Sequence, residues 1–120
     1  MMGQVSKKFR RAENGYIHWC PGCKETHRLP DAWSFNGDLD RPTFKPSFKH
    51  TGKQAITDEF GEWTGEYRRD AAGVALDGCC HYILTDGVLD FQRDCHHALA
   101  GTKVPLPDLP AHLTDKGFVG

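Results

Sequence analysis

The stretch Cys80-His81-Tyr82-Ile83-Leu84-Thr85-Asp86-Gly87-Val88-Leu89-Asp90-Phe91-Gln92-Arg93 decides the fold. Two β-prone runs flank Asp86-Gly87, and a type I′ hairpin turn needs positive φ at both central residues, which Asp-Gly supplies. Thr85 is then expected to face Val88. Counting away from the turn sets Cys80 across from Arg93, so Cys95 arrives at the same open end of the hairpin. Two cysteines that are distant in sequence become neighbours in space.

Toward the N-terminus, residues 16–20 read as a strand and 26–29 as its return, with Cys20-Pro21-Gly22-Cys23 at the tip. Residues 33–36 read as another short extended piece. Asn36-Gly37-Asp38-Leu39-Asp40-Arg41-Pro42 is dense in turn residues and reads as a loop. Asn36, Asp38, Asp40 and Arg41 there are expected to brace the loop through backbone amides and an Arg–Asp pair, with partner recognition as a second reading. Residues 43–48 alternate polar and aromatic side chains, and Pro46 restricts them to an edge strand. Trp33, Phe35, Phe44 and Phe48 read as core.

Residues 49–77 are polar and Gly-rich, with isolated aromatics at Phe60, Trp63 and Tyr67. They read as a long hairpin or a variable insertion. Residues 95–100 are expected to form one helical turn ended by Gly101. Pro105, Pro107 and Pro110 then dictate an extended strap. The expected fold is mainly β, or a small α+β fold, built of zinc-ribbon-like hairpins with one short helical turn. Its expected organisation is a flexible basic start over 1–14, a single metal-stabilised domain over 15–110 with a variable insertion at about 49–78, and a tail over 111–120.

At 120 residues the chain makes one small domain, which buries only about two-thirds of its unfolded surface and gains from a metal cross-link. The net charge of −1 gives no overall field favouring nucleic acid, membrane or acidic substrates. Lys7-Lys8-Phe9-Arg10-Arg11 is the local exception, read as a solvated start or as a grip on a phosphate backbone. No apolar run approaches the roughly 18 residues of a membrane span, and the first residues lack a secretory hydrophobic segment, so a cytoplasmic location is expected. Five cysteines is an odd number, and their pairing with histidines suits metal ligation better than disulfides. Cys79 is the spare.

Zinc takes about four soft or borderline donors on a tetrahedron. The expected ligands are Cys20, Cys23, Cys80 and Cys95, with His81, His97 and His27 as further ligands or supporting donors. Neighbouring strand residues face opposite ways, so Cys80 and His81 are not expected to share one ion. With Cys80 at the metal, His81 reads as a core histidine beside Ile83; alternatively His81 takes the place of Cys80 in the metal shell. A redox Cys-x-x-Cys of the thioredoxin kind is disfavoured, because Pro30 allows no long helix after Cys23.

Cys20-Pro21-Gly22-Cys23-x-x-x-His27, the run from Phe35 through Asn36-Gly37-Asp38-Leu39-Asp40-Arg41-Pro42-Thr43-Phe44-Lys45-Pro46 to Ser47, Cys80-His81-Tyr82-Ile83, Thr85-Asp86-Gly87 and Asp94-Cys95-His96-His97-Ala98-Leu99-Ala100-Gly101 together resemble a family of small uncharacterised proteins of tailed phages and prophages. That resemblance implies an accessory protein of the infected cell. Relatives of this kind often carry the label ammonia monooxygenase. The label does not suit this chain, since Cys-rich ligands favour zinc over an oxygen-activating copper site.

A closed zinc site serves structure. The function expected from the sequence is therefore a phage or prophage accessory module, stabilised by zinc and binding a host or phage protein. Two alternatives stand beside it. One is a small hydrolase, using either an open zinc with Asp94, His81 or His97 as base, or Cys95 as nucleophile with His81 or His97 as base and Asp94 as orienter. The other is a nucleic-acid-binding zinc ribbon, which the scarcity of further Lys and Arg clusters weakens.

Overall fold

The computed structural model describes residues 3–118. Expectations that fall on residues 1–2 and 119–120 lie outside the described residues. The first sheet has the order β1 (Arg10–Ala12), β2 (Gly15–Cys20) and β3 (Glu25–Pro30). Ala12 faces Gly15 across a two-residue turn in which Asn14 has φ 64°, a left-handed conformation that asparagine tolerates. Cys20 pairs with Glu25, so the Cys-Pro-Gly-Cys run caps the second hairpin as the sequence predicts.

The chain continues through a small ribbon of β4 (Ser34–Phe35) and β5 (Phe44–Lys45), then enters β6 (Phe48–Lys53). A second ribbon joins β7 (Ala55–Thr57) and β8 (Trp63–Tyr67). The long β9 (Asp77–Thr85), β10 (Val88–Phe91) and β11 (Lys103–Pro105) complete a four-stranded antiparallel sheet in the order β11-β10-β9-β6. Thr85 faces Val88 as counted from the turn, with Asp86 at φ 52° and Gly87 at φ 79°. The mainly β expectation holds.

Alternation puts one face of each sheet into a common core. Phe9, Leu29, Phe44, Tyr82, Leu84, Leu89, Phe91 and Leu106 are all buried there. At its centre His18 donates from Nδ1 to the Trp19 carbonyl (3.1 Å), leaving Nε2 to accept the Tyr82 hydroxyl at 2.5 Å. Burial pulls the His18 pKa down, which keeps the ring neutral for this role. Tyr82→Phe strands a buried acceptor, so we expect a loss of about 1–3 kcal/mol in urea unfolding, with the fold retained.

Several expectations change. The basic start is not loose, because Phe9 is wholly buried and Lys8, Arg10 and Arg11 are engaged within the chain. Lys8 donates to the Leu106 carbonyl (2.7 Å), Arg10 pairs with Asp115, and Arg11 makes two bonds to Asp31 (2.6 and 2.8 Å). The stretch beyond Pro110 is docked as well: Ala111–Leu113 forms a short 3-10 helix, and His112 Nε2 donates to the Phe60 carbonyl at 2.8 Å. Residues 95–100 form successive turns in place of a helical turn. The stretch read as an insertion contributes β6 to the main sheet, where Lys49 lies opposite His81. The single edge strand expected over 43–48 is two strands, β5 and β6, that break at Pro46-Ser47 and join different partners.

Candidate active site and metal centre

Strand β9 presents Cys80 and His81 to opposite sides, and each belongs to a separate cluster. On the inner side, donor atoms of Cys20, Cys23, His27 and Cys80 all lie within 4.8 Å of one another. Thiolates about 2.3 Å from a tetrahedral zinc stand about 3.8 Å apart, and Cys20 Sγ lies 3.9 Å from Cys80 Sγ. The Cys23 amide points at Cys20 Sγ (3.4 Å), and the Lys24 amide closes the turn onto the Cys20 carbonyl (2.8 Å). Hydrogen bonds from the Cys23 and Cys80 thiols hold the Cys20 pKa far below that of an ordinary thiol, and those same bonds push Cys23 and Cys80 up. Three thiols this close share protons among themselves, and a cation would favour their deprotonated form.

His27 is the informative member. Its ring is buried and stacks on Phe48 at 4.5 Å, yet neither Nδ1 nor Nε2 has a hydrogen-bond partner among the described residues. Buried polar nitrogens rarely stay unsatisfied. Burial lowers its pKa to about 4, so the ring is neutral and offers a lone pair. The donor set fits a metal such as zinc.

A second group joins Cys80, Cys95 and His97. The His97 ring lies over Gly22, where a Cβ would come within 2.3 Å of it. Its Nδ1 accepts the Leu99 amide (3.3 Å), and burial favours the neutral ring, so the proton sits on Nε2, 3.6 Å from Cys80 Sγ. That tautomer makes His97 a donor to the sulfur. Cys95 Sγ instead bonds the backbone of His81, accepting its amide and donating to its carbonyl at 3.2 Å each. The structure thus brings His27 to Cys20, Cys23 and Cys80, and sets Cys95 against His81.

On the other side of β9, His81 is no core residue. Its Nδ1 faces both Asp94 oxygens at 3.1 and 3.2 Å, and its Nε2 faces Ser47 Oγ at 3.4 Å. Asp94 also pairs with Lys49 Nζ at 3.4 Å. Desolvation pushes the Asp94 carboxyl up, but the bonds from His81 and Lys49 outweigh it and leave the group below the ordinary carboxylate range. The carboxylate fixes the proton on Nδ1, which turns the Nε2 lone pair toward the hydroxyl. A hydroxyl, an imidazole and a carboxylate thus follow one another at hydrogen-bond or near-hydrogen-bond distance, the set that serine-based acyl transfer would need.

Ser47 was not among the candidates read from the sequence. It lies in the break between β5 and β6 and carries no local nucleophile motif. The one signal available was the count of three serines; it took the structure to show Ser6 Oγ occupied by the Lys8 and Phe9 amides (3.2 and 3.1 Å). In the loop, Asn36 accepts the Asp38 amide (3.1 Å), and Asp38 accepts the amides of Asp40 (2.9 Å) and Arg41 (3.0 Å). The Arg41 guanidinium reaches outside the loop to Asp86.

Among the described residues no helix is long and apolar enough to cross a membrane. Residues 2–92 match the model of a family described as bacterial ubiquitination-like system serine protease (BubE). The match includes Ser47 and His81 and ends just short of Asp94. No curated protein and no solved structure matches the chain. The family match overturns the expectation of a phage accessory binding module, because it points to a protease of a bacterial system.

Proposed function

The chain belongs to the BubE family, and from that premise we propose that it is a serine peptidase with Ser47 as nucleophile, His81 as general base and Asp94 as orienting carboxylate. The observation that carries this reading is the Ser47–His81–Asp94 alignment, with His81 bonded to Asp94 through Nδ1 and facing Ser47 through Nε2. In the first half-reaction His81 Nε2 takes the Ser47 proton as Oγ attacks the scissile carbonyl. Asp94 stabilises the imidazolium so formed. His81 then gives that proton to the departing amine, leaving an acyl ester on Ser47. Water attacks the ester with His81 again as base, which releases the acid and restores the hydroxyl.

The family's description supports a protein of a ubiquitination-like system as substrate. His81 is about a quarter exposed and Asp94 nearly half exposed, so the triad sits at the surface, where a protein can reach it.

We assign zinc to Cys20, Cys23, His27 and Cys80. Four protein ligands leave no open position, so the ion would tie the β2–β3 hairpin to β9 and keep the base strand in place, without polarising substrate. Both the three-ligand zinc hydrolase and the Cys95 thiol hydrolase fit less well, since Cys95 Sγ is engaged with the His81 backbone.

A fluorophosphonate probe tests the assignment. It reacts only with an activated serine, so the purified protein is expected to gain one adduct, and peptide mapping should find it on Ser47. An adduct elsewhere, or none under conditions that label a control serine hydrolase, would overturn it.

A further inference from the structure

Residues 94–97 lie against residues 79–81 of β9 one by one. Asp94 bonds the His81 ring, Cys95 the His81 backbone, His96 the Cys79 backbone (N to O, 3.0 Å), and His97 faces Cys80. Each of these four contacts touches a residue of the proposed triad or metal site, or its immediate neighbour. The one made by Cys95 is the least expected of a residue beside the metal cluster.

The β9–β10 ladder explains it. Its last strand pair is Phe91 with Tyr82, after which the Gln92 amide still reaches the His81 carbonyl at 2.8 Å. A continuing strand would return the Gln92 carbonyl to the His81 amide. The chain instead turns at Gln92, whose carbonyl accepts the Cys95 and Gly101 amides (3.3 and 3.4 Å). The His81 amide has lost its rung, and Cys95 Sγ takes that place at 3.2 Å while donating back to the His81 carbonyl at 3.2 Å. The sulfur is buried, with 8 % of the residue exposed. Because Cys95 directly follows Asp94, this double contact fixes the base and its carboxylate to each other through the main chain.

We propose that Cys95 is a positioning residue of the catalytic triad, its thiol standing in for a missing backbone rung and holding Asp94 in register with His81. This rests on the reading of Ser47, His81 and Asp94 as the triad. The competing role is metal ligation beside Cys80 and His97, with which Cys95 forms a compact group. A ligand would be needed for metal content, whereas a positioning thiol is needed for the rate and for the His81–Asp94 bond.

The test uses Cys95→Ala, Cys95→Ser and Ser47→Ala in the full chain, with a fluorophosphonate as the serine probe. Cys95→Ala is expected to keep the wild-type zinc content and to label about tenfold more slowly, since displacements of about 1 Å can cost up to about a hundredfold. The low-field proton resonance of the His81 Nδ1–H shared with Asp94 should vanish with it. Cys95→Ser, whose hydroxyl can both donate and accept, should restore much of the labelling and the resonance. Unchanged labelling and resonance in Cys95→Ala overturn the proposal, as does loss of zinc from both Cys95 variants. Should Cys95→Ala fail to fold, Cys95→Ser decides: labelling with zinc retained supports the positioning role, and loss of zinc overturns it. Labelling that persists in Ser47→Ala would instead refute the triad itself, an outcome distinct from failure of the Cys95 role.

Discussion

Ser47→Ala is expected to lower kcat for peptide or ester hydrolysis by about 10⁴–10⁶, with thermal stability close to that of the parent. The size follows from what is removed. Without Oγ there is no acyl-enzyme route, and only residual binding and electrostatic effects remain. The stability expectation follows from the long 3.4 Å contact that Ser47 makes with His81, which adds little to the fold. Asp94→Asn should cost about 10⁴ for a different reason: the amide can donate to Nδ1, moving the ring proton to Nε2 and turning the base away from its task. Full hydrolysis by Ser47→Ala, measured on material freed of contaminating proteases by an inactive tagged control, would refute the assignment. Because Ser47, His81 and Asp94 would act as one unit, a base kept in place by Asp94 has nothing to activate once Oγ is gone, and a double variant should be scarcely worse than Ser47→Ala alone.

The second large effect concerns the metal. Stripping zinc with a strong chelator, or replacing Cys20 or Cys80 with Ser, is expected to unfold the domain rather than merely inactivate it. Structural zinc in small domains supplies on the order of 10–16 kcal/mol of apparent binding energy at neutral pH, more than a chain of this size holds in reserve. Cys20 and Cys80 are almost wholly buried, so without a cation they and the half-buried Cys23 crowd around an imidazole that has no hydrogen-bond partner among the described residues. Near-UV circular dichroism and the thermal midpoint read this directly. His27→Ala should sharply weaken metal retention, while His97→Ala should leave one zinc bound, because the His97 tautomer directs a proton at Cys80 Sγ. A native near-UV spectrum after complete metal removal would sink the structural role.

Much of the fold was legible because it is encoded locally. The Asp86-Gly87 turn, the Cys-Pro-Gly-Cys hairpin tip and the period-two patterns each need only a few neighbouring residues, and each stands where the sequence placed it. The basic start was misread for a related reason. Charge density around Phe9 suggested solvent, but the cations find carboxylates and carbonyls far along the chain, and that pairing has no local signature.

The metal cluster was half legible. The closeness of Cys20, Cys23 and Cys80 could be read from turn geometry and hairpin counting, whereas the arrival of His27 beside them depended on how the two sheets pack. Period-two alternation correctly separated Cys80 from His81, but it could not say what His81 would meet.

The sequence by itself determined a β domain with a thiol-rich knuckle, since turns and alternation follow from backbone φ preferences and side-chain direction over short spans. Only the tertiary structure brought Ser47, His81 and Asp94 together. Ser47 and His81 are 34 residues apart and His81 and Asp94 are 13 apart. They meet because β6 pairs with β9 in the register that sets Lys49 opposite His81, and because the chain turns back after Gln92. Convergence of that kind is a property of strand pairing across the sheet, which no short stretch of the chain specifies.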